Sequence, residues 1–454
     1  MQRKFYAFIA LFFLTTAAWA QTNSGSLKGK VSDKDTKETL PFVTVIVYLN
    51  GNTVNGGTTD IDGEYSIKPL EPGTYDVSFQ FVGYQPQTIK GVVVKGGKLT
   101  PLDAEMMQGA ELGTVEVFDY KVPLIDKDGG SSGGTITRED LKNMPSRSVT
   151  GLAQTVAGAT DTGNGISIRG AREGSTWIYI DGIKVRGSSA LPKSAVEEIS
   201  VITGGIPANI GDATGGVINV SLRNASAKYT GGVEAITSGF QVGDKVVGLD
   251  HYGYNLVEGS LSGPLLFTKN DKGERGRPLL GFFVSGNYTD IVDGAPQFGG
   301  VMRMKESVRQ DLLTNPLRPN LSESGEATGV LYNADFLTAD DFETTMTRMN
   351  ARNRSANMVA KIDVNTSENV TLTFGGTAAF SRGRDASRAN QLMNWDNNQL
   401  NTNFDWRAYA KFSQRFKNAE GEEASASNLK NIFYSVMVDY SRNFANSQDE
   451  THGD

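Results

Sequence analysis

The sequence predicts a mainly β chain: a small N-terminal β-sandwich, a mixed α/β segment, and the first strands of an antiparallel transmembrane β-barrel. Three observations predict it. An export-signal pattern opens the chain. Runs of period-two alternation recur along it. Glycine is abundant, at 52 residues, or roughly 11% against a usual ~7%. Glycine at that level without a collagen period suits turns, bulges and close backbone approach.

Composition narrows the function classes. The chain has 454 residues, so two to four units are expected. Beyond the extreme N-terminus no apolar run reaches about 18 residues, which excludes a multi-span helical membrane protein but not a barrel. Cysteine is absent, which excludes disulfide scaffolds, thiol nucleophiles and a lipidated N-terminal Cys. The two histidines, His251 and His452, offer no His-rich zinc site and no catalytic dyad. No metal or cofactor is expected. Net charge is −7 with both signs dispersed, and no basic tract marks a nucleic-acid partner.

Residues 1–20 read as a signal peptide. Arg3 and Lys4 supply the positive start, Ala7 to Leu14 the apolar centre, and Ala18-Trp19-Ala20 the cleavage site. Residues 21–107 read as a β-sandwich. Val43 to Leu49, Tyr65 to Ile67 and Tyr75 to Phe79 are strands, separated by turn signals at Asn50-Gly51, Asp62-Gly63 and Pro72-Gly73. Asp60-Ile61-Asp62-Gly63 also has the look of a calcium loop, but the downstream bidentate acid is missing, which favours a hairpin turn. Residues 108–134 read as a connector, with an extended stretch at Thr114-Val115-Glu116-Val117-Phe118 and a flexible linker at Gly129 to Gly134. A strand-forming peptide on a tether suits capture by strand addition; a loose end strand of the sandwich is the plainer alternative.

Residues 135–223 mix helix and strand. Thr137 to Asp140 caps a short helix, and Val149 to Val156 predicts another. Short strands beside glycine follow at 166–170, 176–182, 199–202 and 216–220. From residue 228 to 454 the alternation lengthens. Val370, Leu372, Phe374, Gly376, Ala378 and Phe380 form one face, opposite Thr371, Thr373, Gly375 and Thr377. Phe404, Trp406, Ala408, Ala410 and Phe412 oppose Asp405, Arg407, Tyr409 and Lys411. Such strands fit apolar-out, polar-in membrane strands. Seven are predicted: 228–240, 252–267, 278–292, 355–365, 369–383, 401–417 and 428–445.

Two resemblances add to this reading. Gly29-Lys30-Val31, Leu40-Pro41-Phe42, Thr59 to Tyr65, Pro72 to Tyr75 and Val82-Gly83-Tyr84 together resemble the carboxypeptidase regulatory-like domain, a non-catalytic fold. The series Ile168-Arg169-Gly170-Ala171-Arg172, Tyr179-Ile180-Asp181-Gly182, Val196 to Ile199, Gly204-Gly205-Ile206-Pro207-Ala208 and Gly211 through Gly215-Gly216 to Val220 resembles the TonB-dependent receptor plug. A sandwich extension before a plug is typical of Bacteroidetes receptors of this family. Seven strands cannot close around a plug, since plugged transporters have about 22; a sequence truncated within the barrel is the expectation.

The resemblance implies an outer-membrane receptor with its N-terminal domain and plug base in the periplasm. It implies import of a large or scarce ligand, driven by TonB and its inner-membrane energising complex, with Thr114 to Phe118 as the TonB-box candidate. A surface binding or adhesion protein without transport is the alternative. SusC-type glycan importers work with a surface lipoprotein, but their signature is not evident at Val117-Phe118-Asp119-Tyr120, so neither is assigned. An enzyme is not expected, since the sequence has no H-E-x-x-H pattern and no usable histidine. Arg169 is expected to lock the plug to Glu234 and Glu258 on the inner faces of the first two strands. Trp177 is expected in the plug core. The long segment 293–354, with Met302, Arg303, Met304, Phe336, Arg348 and Arg352, is expected to contact ligand.

Overall fold

The computed structural model describes residues 24–49, 51–109, 115–117, 132–163, 165–172, 174–207, 210–243, 245–269, 275–367, 369–415 and 433–449. The signal peptide, Thr114, Phe118 and the first part of the Gly-rich linker lie outside them.

The N-terminal unit comprises β1 (Gly25–Asp33), β2 (Thr44–Leu49), β3 (Asn52–Thr58), β4 (Glu64–Leu70), β5 (Gly73–Gln80), β6 (Gln87–Val94), β7 (Leu99–Pro101), β8 (Ala104–Met106) and β9 (Val115–Val117). Two sheets face each other. One orders its strands β4-β1-β7, with β8 also on β1; the other runs β3-β2-β5-β6-β9. Inward residues alternate along the strands, and Leu27, Val31, Val45, Val47, Ile67, Val77, Phe79, Val92 and Val94 make one buried cluster. Tyr65 packs edge-on to Phe79, with ring centroids 5.7 Å apart, and its hydroxyl donates to the Leu102 carbonyl at 2.6 Å. The Asp60 stretch is a turn. Its carboxylate accepts from the amides of Asp62 at 3.0 Å and Glu64 at 2.9 Å.

The middle unit comprises β10 (Ser132–Thr137), α1 (Arg138–Asn143), α2 (Val149–Ala153), β11 (Ala159–Asp161), β12 (Ile166–Ile168), β13 (Thr176–Ile180), β14 (Ile183–Lys184), β15 (Val196–Gly204) and β16 (Gly216–Leu222). Its main sheet orders β10-β15-β16-β13-β14. Thr137 caps α1 through a capping box with Asp140. Ser132, Gly133 and Gly134, expected in a flexible linker, are instead the start of β10 on the sheet edge. Gly133 permits this, because a Cβ there would meet the Val201 carbonyl. The core gathers Ile136, Leu152, Ile168, Ile199, Ile218 and Val220, and two residues of the following sheet, Phe283 and Val359, belong to the same cluster.

That following sheet is a seven-stranded antiparallel meander: β17 (Thr230–Thr237), then, past the hairpin β18 (Gly239–Val242) and β19 (Lys245–Gly248), β20 (Tyr254–Lys269) and β21 (Arg275–Ile291). Within the segment leading to the fourth strand lie β22 (Val301–Met304), α3 (Glu306–Thr314), β23 (Leu317–Leu321), β24 (Ala327–Tyr332) and β25 (Phe342–Thr345). The meander continues through β26 (Asn353–Asn365), β27 (Val370–Asp385), β28 (Gln399–Arg415) and β29 (Phe433–Gln448).

Register resolves two faces. On one, Val438, Phe374, Ile362, Val284 and Leu261 look outward, away from the middle unit. On the other, Glu258, Ser262, Phe283, Ser285, Val359, Lys361, Arg407 and Tyr409 are buried. The outward face ends in an aromatic row. Val257, Tyr288, Ala356, Phe380, Phe404 and Phe444 are successive cross-strand partners. One register step higher the row is wholly polar: Thr237, Asn255, Asp290, Arg354, Arg382, Thr402 and Asn446. From Leu280 to Tyr288 the outward side chains are apolar, a rise of about 27 Å along the strand. At a tilt of about 40° that spans about 21 Å across the membrane, comparable to the ~25 Å apolar band of outer-membrane barrels. Arg442 is the one charge inside this band among the described residues, level with Trp406 just below the aromatic row.

A charge at mid-band is the direct test. Val438→Arg should cost about 2–4 kcal/mol of stability in a bilayer. The urea midpoint of the lipid-reconstituted protein measures it.

Candidate functional site

Three sets of charged contacts join the units. The first centres on Asp181. The β13–β14 hairpin turns on Asp181 and Gly182, with φ of 50° and 84°. This is the two-residue turn for which Asp-Gly is the favoured pair. It aims the Asp181 carboxylate at the wall of strands. Oδ2 accepts from Lys361 Nζ at 2.7 Å and from the Tyr409 hydroxyl at 2.8 Å. Oδ1 accepts from the Leu222 amide at 2.8 Å. Lys361 is 4% exposed. Its remaining hydrogens reach Asn224 Oδ1 at 3.0 Å and the Leu222 carbonyl at 3.3 Å. All three ammonium donors are thus used.

The second set centres on Arg147, in the turn between α1 and α2. Glu234 and Glu258 stand opposite each other across β17 and β20. Like charges in that position repel. Arg147 relieves them, donating to Glu234 Oε1 at 2.5 Å and to Glu258 Oε2 at 3.2 Å. The Ser194 amide donates to the other Glu258 oxygen at 2.5 Å. The expectation that Arg169 fills this role is corrected. Arg169 sits in a tight turn after β12 with φ of 52°. Its guanidinium donates to Ser132 Oγ at 2.7 Å, which holds it on the β10 edge of the middle sheet.

The other motif residues are placed as follows. Gly170 and Gly205 lie in turns, Gly204 ends β15, and Gly211 stands in open space. Arg172 is exposed, and its carbonyl accepts from the Ser175 amide at 3.1 Å. Gly215 precedes β16, and Gly216 opens it where a Cβ would fall 2.9 Å from the Ile202 carbonyl oxygen. Trp177 is half-buried rather than in the core. Its indole N–H donates to the Asp212 carbonyl at 2.9 Å, and Lys184 covers the ring at 3.3 Å.

The third set brings in the sandwich. The Tyr75 hydroxyl donates to the Glu71 carbonyl at 2.5 Å and fixes the β4–β5 turn. The Glu71 carboxylate then accepts from Lys411 Nζ at 2.7 Å and Asn224 Nδ2 at 2.8 Å. Lys411 holds this carboxyl far below its ordinary range, at about 2. Glu71, Asp181, Lys361, Asp363, Tyr409 and Lys411 line one cavity of about 210 Å³ where the three units meet. Glu71 is ringed by protein yet half-exposed to that space.

Sandwich and middle unit also meet at Glu198. This carboxyl is 3% exposed and accepts from the Gly96 amide at 3.2 Å. Burial pushes it up to about 7.

Of the strand-addition candidate, Val115 to Val117 form β9, paired parallel with β6 on the sandwich edge. The segment 293–354 is folded, not an open loop. Asp293 is fully buried and binds the Arg348 guanidinium at 2.6 Å. Arg303 binds Glu343 at 2.8 Å, and Met304 is buried. Arg352 binds Asp290. Of the six residues expected to meet ligand, Met302 and Phe336 present exposed apolar surface.

A mixed α/β unit pinned by buried charges to the polar face of a sheet whose other face is apolar fits a plug held against the wall of an outer-membrane β-barrel. Comparison with known proteins names the type. Residues 126–217 match the TonB-dependent Receptor Plug Domain, and residues 26–107 match the Carboxypeptidase regulatory-like domain. The chain thus carries a TonB-dependent receptor plug domain with a carboxypeptidase regulatory-like domain ahead of it. It is similar to the TonB-dependent transporter Oar of Myxococcus xanthus, 25% identical over 397 residues, covering 81% of this chain and 34% of the relative. An iron-regulated outer membrane virulence protein of Vibrio cholerae is 36% identical over 121 residues, covering 22% of this chain and 19% of that one. Among solved structures, the siderophore receptor PirA from Pseudomonas aeruginosa aligns at 15% identity and a TM-score of 0.41, covering 70% of this chain and 42% of that one. The chain thus spans about a third of the length of the curated transporter it matches. The plug faces the periplasm, so the β26–β27 connection lies at the periplasmic end of the strands and 293–354 at the external end.

Two outcomes test the site. Arg147→Ala leaves Glu258 buried without its cation and should cost about 3–5 kcal/mol, whereas Arg169→Ala should cost less than Arg147→Ala. Denaturant unfolding compares them. Glu198 keeps its proton in the folded state to about pH 7, against an ordinary 4.5. The folded state therefore binds more protons between those values, and stability must fall as pH rises through them. The fall should total about 3 kcal/mol at 1.36 kcal/mol per unit. It should be absent in Glu198→Gln when unfolding is followed from pH 4.5 to 8.

Proposed function

We propose that the chain is the N-terminal part of a transporter that imports a large or scarce ligand, a siderophore, glycan, peptide or vitamin, across the outer membrane. TonB and its inner-membrane energising complex supply the work. The supporting observation is the pair of buried charge contacts, Arg147 on Glu234 and Glu258, and Asp181 on Lys361 and Tyr409. Each contact joins plug to wall. Breaking one leaves a buried charge unpaired, at about 3–5 kcal/mol. Thermal motion opens such a closure rarely, so a gate of this kind requires applied work. No covalent chemistry is involved.

In this reading TonB captures the region 114–118 by strand addition. Val115 to Val117 already pair as a strand, on an edge. Tension applied there reaches Ser132 and β10 next. β10 is an edge strand bonded only to β15 within the plug sheet. It can therefore leave while β15, β16 and β13 stay paired. Removing β10 also releases the Arg169 to Ser132 bond. The Gly-rich approach to β10 gives the pulled chain little side-chain bulk to drag.

Deletion of Val115 to Phe118 in the full-length protein tests this. Outer-membrane fractionation, ligand binding to whole cells and energy-dependent uptake are measured together, with an uptake-competition screen naming the ligand. Uptake should vanish while surface binding persists. Unchanged uptake would overturn TonB capture at this segment. A protein absent from the outer membrane would overturn the receptor reading as a whole.

A further inference from the structure

The sandwich docks by one end. Its β2–β3, β4–β5 and β6–β7 turns all project from the same end of the two sheets, and each meets a different part of the protein. At the first, a Cβ placed on Gly51 would stand 3.7 Å from the Ala227 Cβ, in the link between plug and β17. At the second, the Glu71 carboxylate accepts from Lys411 of β28 at 2.7 Å and from Asn224, just past β16, at 2.8 Å. At the third, the Gly96 amide donates to Glu198 of β15 at 3.2 Å. Glu198 stands opposite Thr137, the last residue of β10. The three turns thus reach from the wall at β28 to the plug strand beside β10.

This contact lies across the periplasmic exit. The cavity of about 210 Å³ between the units is lined by Pro278, Asn365, Thr371 and Gln414, at the periplasmic ends of β21, β26, β27 and β28. Asp181 of the plug and Glu71 of the sandwich line it as well. A plug whose β10 edge has left therefore still opens onto the sandwich.

The sandwich is held to itself and to its neighbours by different forces. Within it, an apolar cluster runs from Leu27 to Met106. Its contacts with plug and wall include polar ones at these turns, and the Glu71 side chain is 49% exposed. Undocking hands such polar groups to water, whereas unfolding would expose the core. Under load the domain leaves whole. The proposed capture segment is where load arrives: Val115 to Val117 lie between Met106 of β8, in the sandwich, and Ser132 of β10, in the plug. A pull there draws on both.

We propose that the sandwich is a second closure in series beneath the plug, latched to the wall by Glu71 on Lys411 and lifted off as one body by the pull on 114–118. The proposal rests on the transport reading above and adds a step to it. Departure of β10 opens the plug, and undocking of the sandwich opens the way from plug to periplasm.

Cysteine is absent from this sequence, so Gly51→Cys with Ala227→Cys reports docking, and their Cβ spacing suits a disulfide. Gly51 has a φ of 84°, where a side chain is strained, so every rate is referred to this pair alone. The full-length protein in a lipid bilayer is oxidised with copper phenanthroline, and closure of the pair is followed. Adding Glu71→Lys sets like charges against each other and should slow closure about tenfold. Adding Lys411→Glu to that variant should restore it. If the swapped protein does not fold, Glu71→Gln should slow closure to a lesser extent. Closure indifferent to Glu71 would overturn the latch. For the lifting, an azide-bearing residue replaces Glu116 as a pulling handle, and force–extension traces are recorded with the pair reduced and oxidised. In the reduced protein an undocking rupture should accompany the β10 extension, at a lower force in Glu71→Lys. Oxidation should abolish that rupture and leave the β10 extension. Traces alike in the two states would overturn the proposal. Neither measurement uses TonB or an imported ligand, so uptake by the 115–118 deletion tests the transport reading separately.

Discussion

A β-strand has two faces and no third, and the rest of this structure depends on that constraint. Strands β20 to β29 put Val284, Ile362, Phe374 and Val438 on one side, so Ser285, Lys361, Thr373 and Met437 fall on the other. Lipid satisfies the first side without further help. The second side carries Glu234, Glu258, Lys361 and Lys411, which lipid would not tolerate. Those charges must meet water or a partner of opposite sign. The plug and the sandwich supply Arg147, Asp181 and Glu71. The polar face of the wall and the charged surface of the plug are therefore one feature seen from two sides.

This arrangement distributes the attachment. Arg147 holds the plug at the first two strands, and Asp181 holds it at β26 and β28. Between them Phe283 and Val359 complete the apolar core, with Arg223 stacked 5.1 Å from the Phe283 ring. Among the described residues the β10 edge has none of these charged anchors; there the neutral Ser132 hydroxyl accepts from Arg169. The plug is consequently strong where it meets the wall and weak at its own N-terminal edge. In the proposed transport cycle a partial opening needs only that weak edge to yield.

Much of this was legible in the sequence, and the boundary is physical. Period two assigned Arg407, Tyr409 and Lys411 to the polar face, because strand geometry alone decides which side a residue takes. It also placed Glu234 and Glu258 on the inner face. It could not choose their partner. Arg147 lies in a turn between two short helices, and turns carry no period from which a direction can be read. Arg169 had the better local argument, a strand beside glycine, but its left-handed backbone turns it toward Ser132. The strands of the external segment were hidden for a similar reason. Its strands β22 to β25 are short, and β22 pairs with β25 across most of the segment, so no local alternation announces them. The Asp181 turn shows the converse. An Asp-Gly pair between two short strands was plain as a motif, while its electrostatic role needed Lys361, which lies far along the chain.

The mixed composition of the plug core has a kinetic consequence. Phe283 and Val359 are wall residues, yet they sit in the same buried cluster as Ile199 and Val220 of the plug. The wall strands come later in the chain than the plug and attain their pairing in a bilayer. Until they do, the plug has an open apolar surface and the Asp181 and Arg147 charges lack their counterparts. Its native state is thus not a stage on the way to insertion but a product of it. The newly exported polypeptide crosses the periplasm incomplete, with a sticky face that must be shielded from its neighbours throughout the journey. The last step of assembly, when the wall closes over that face, finishes the membrane strands and the gate together.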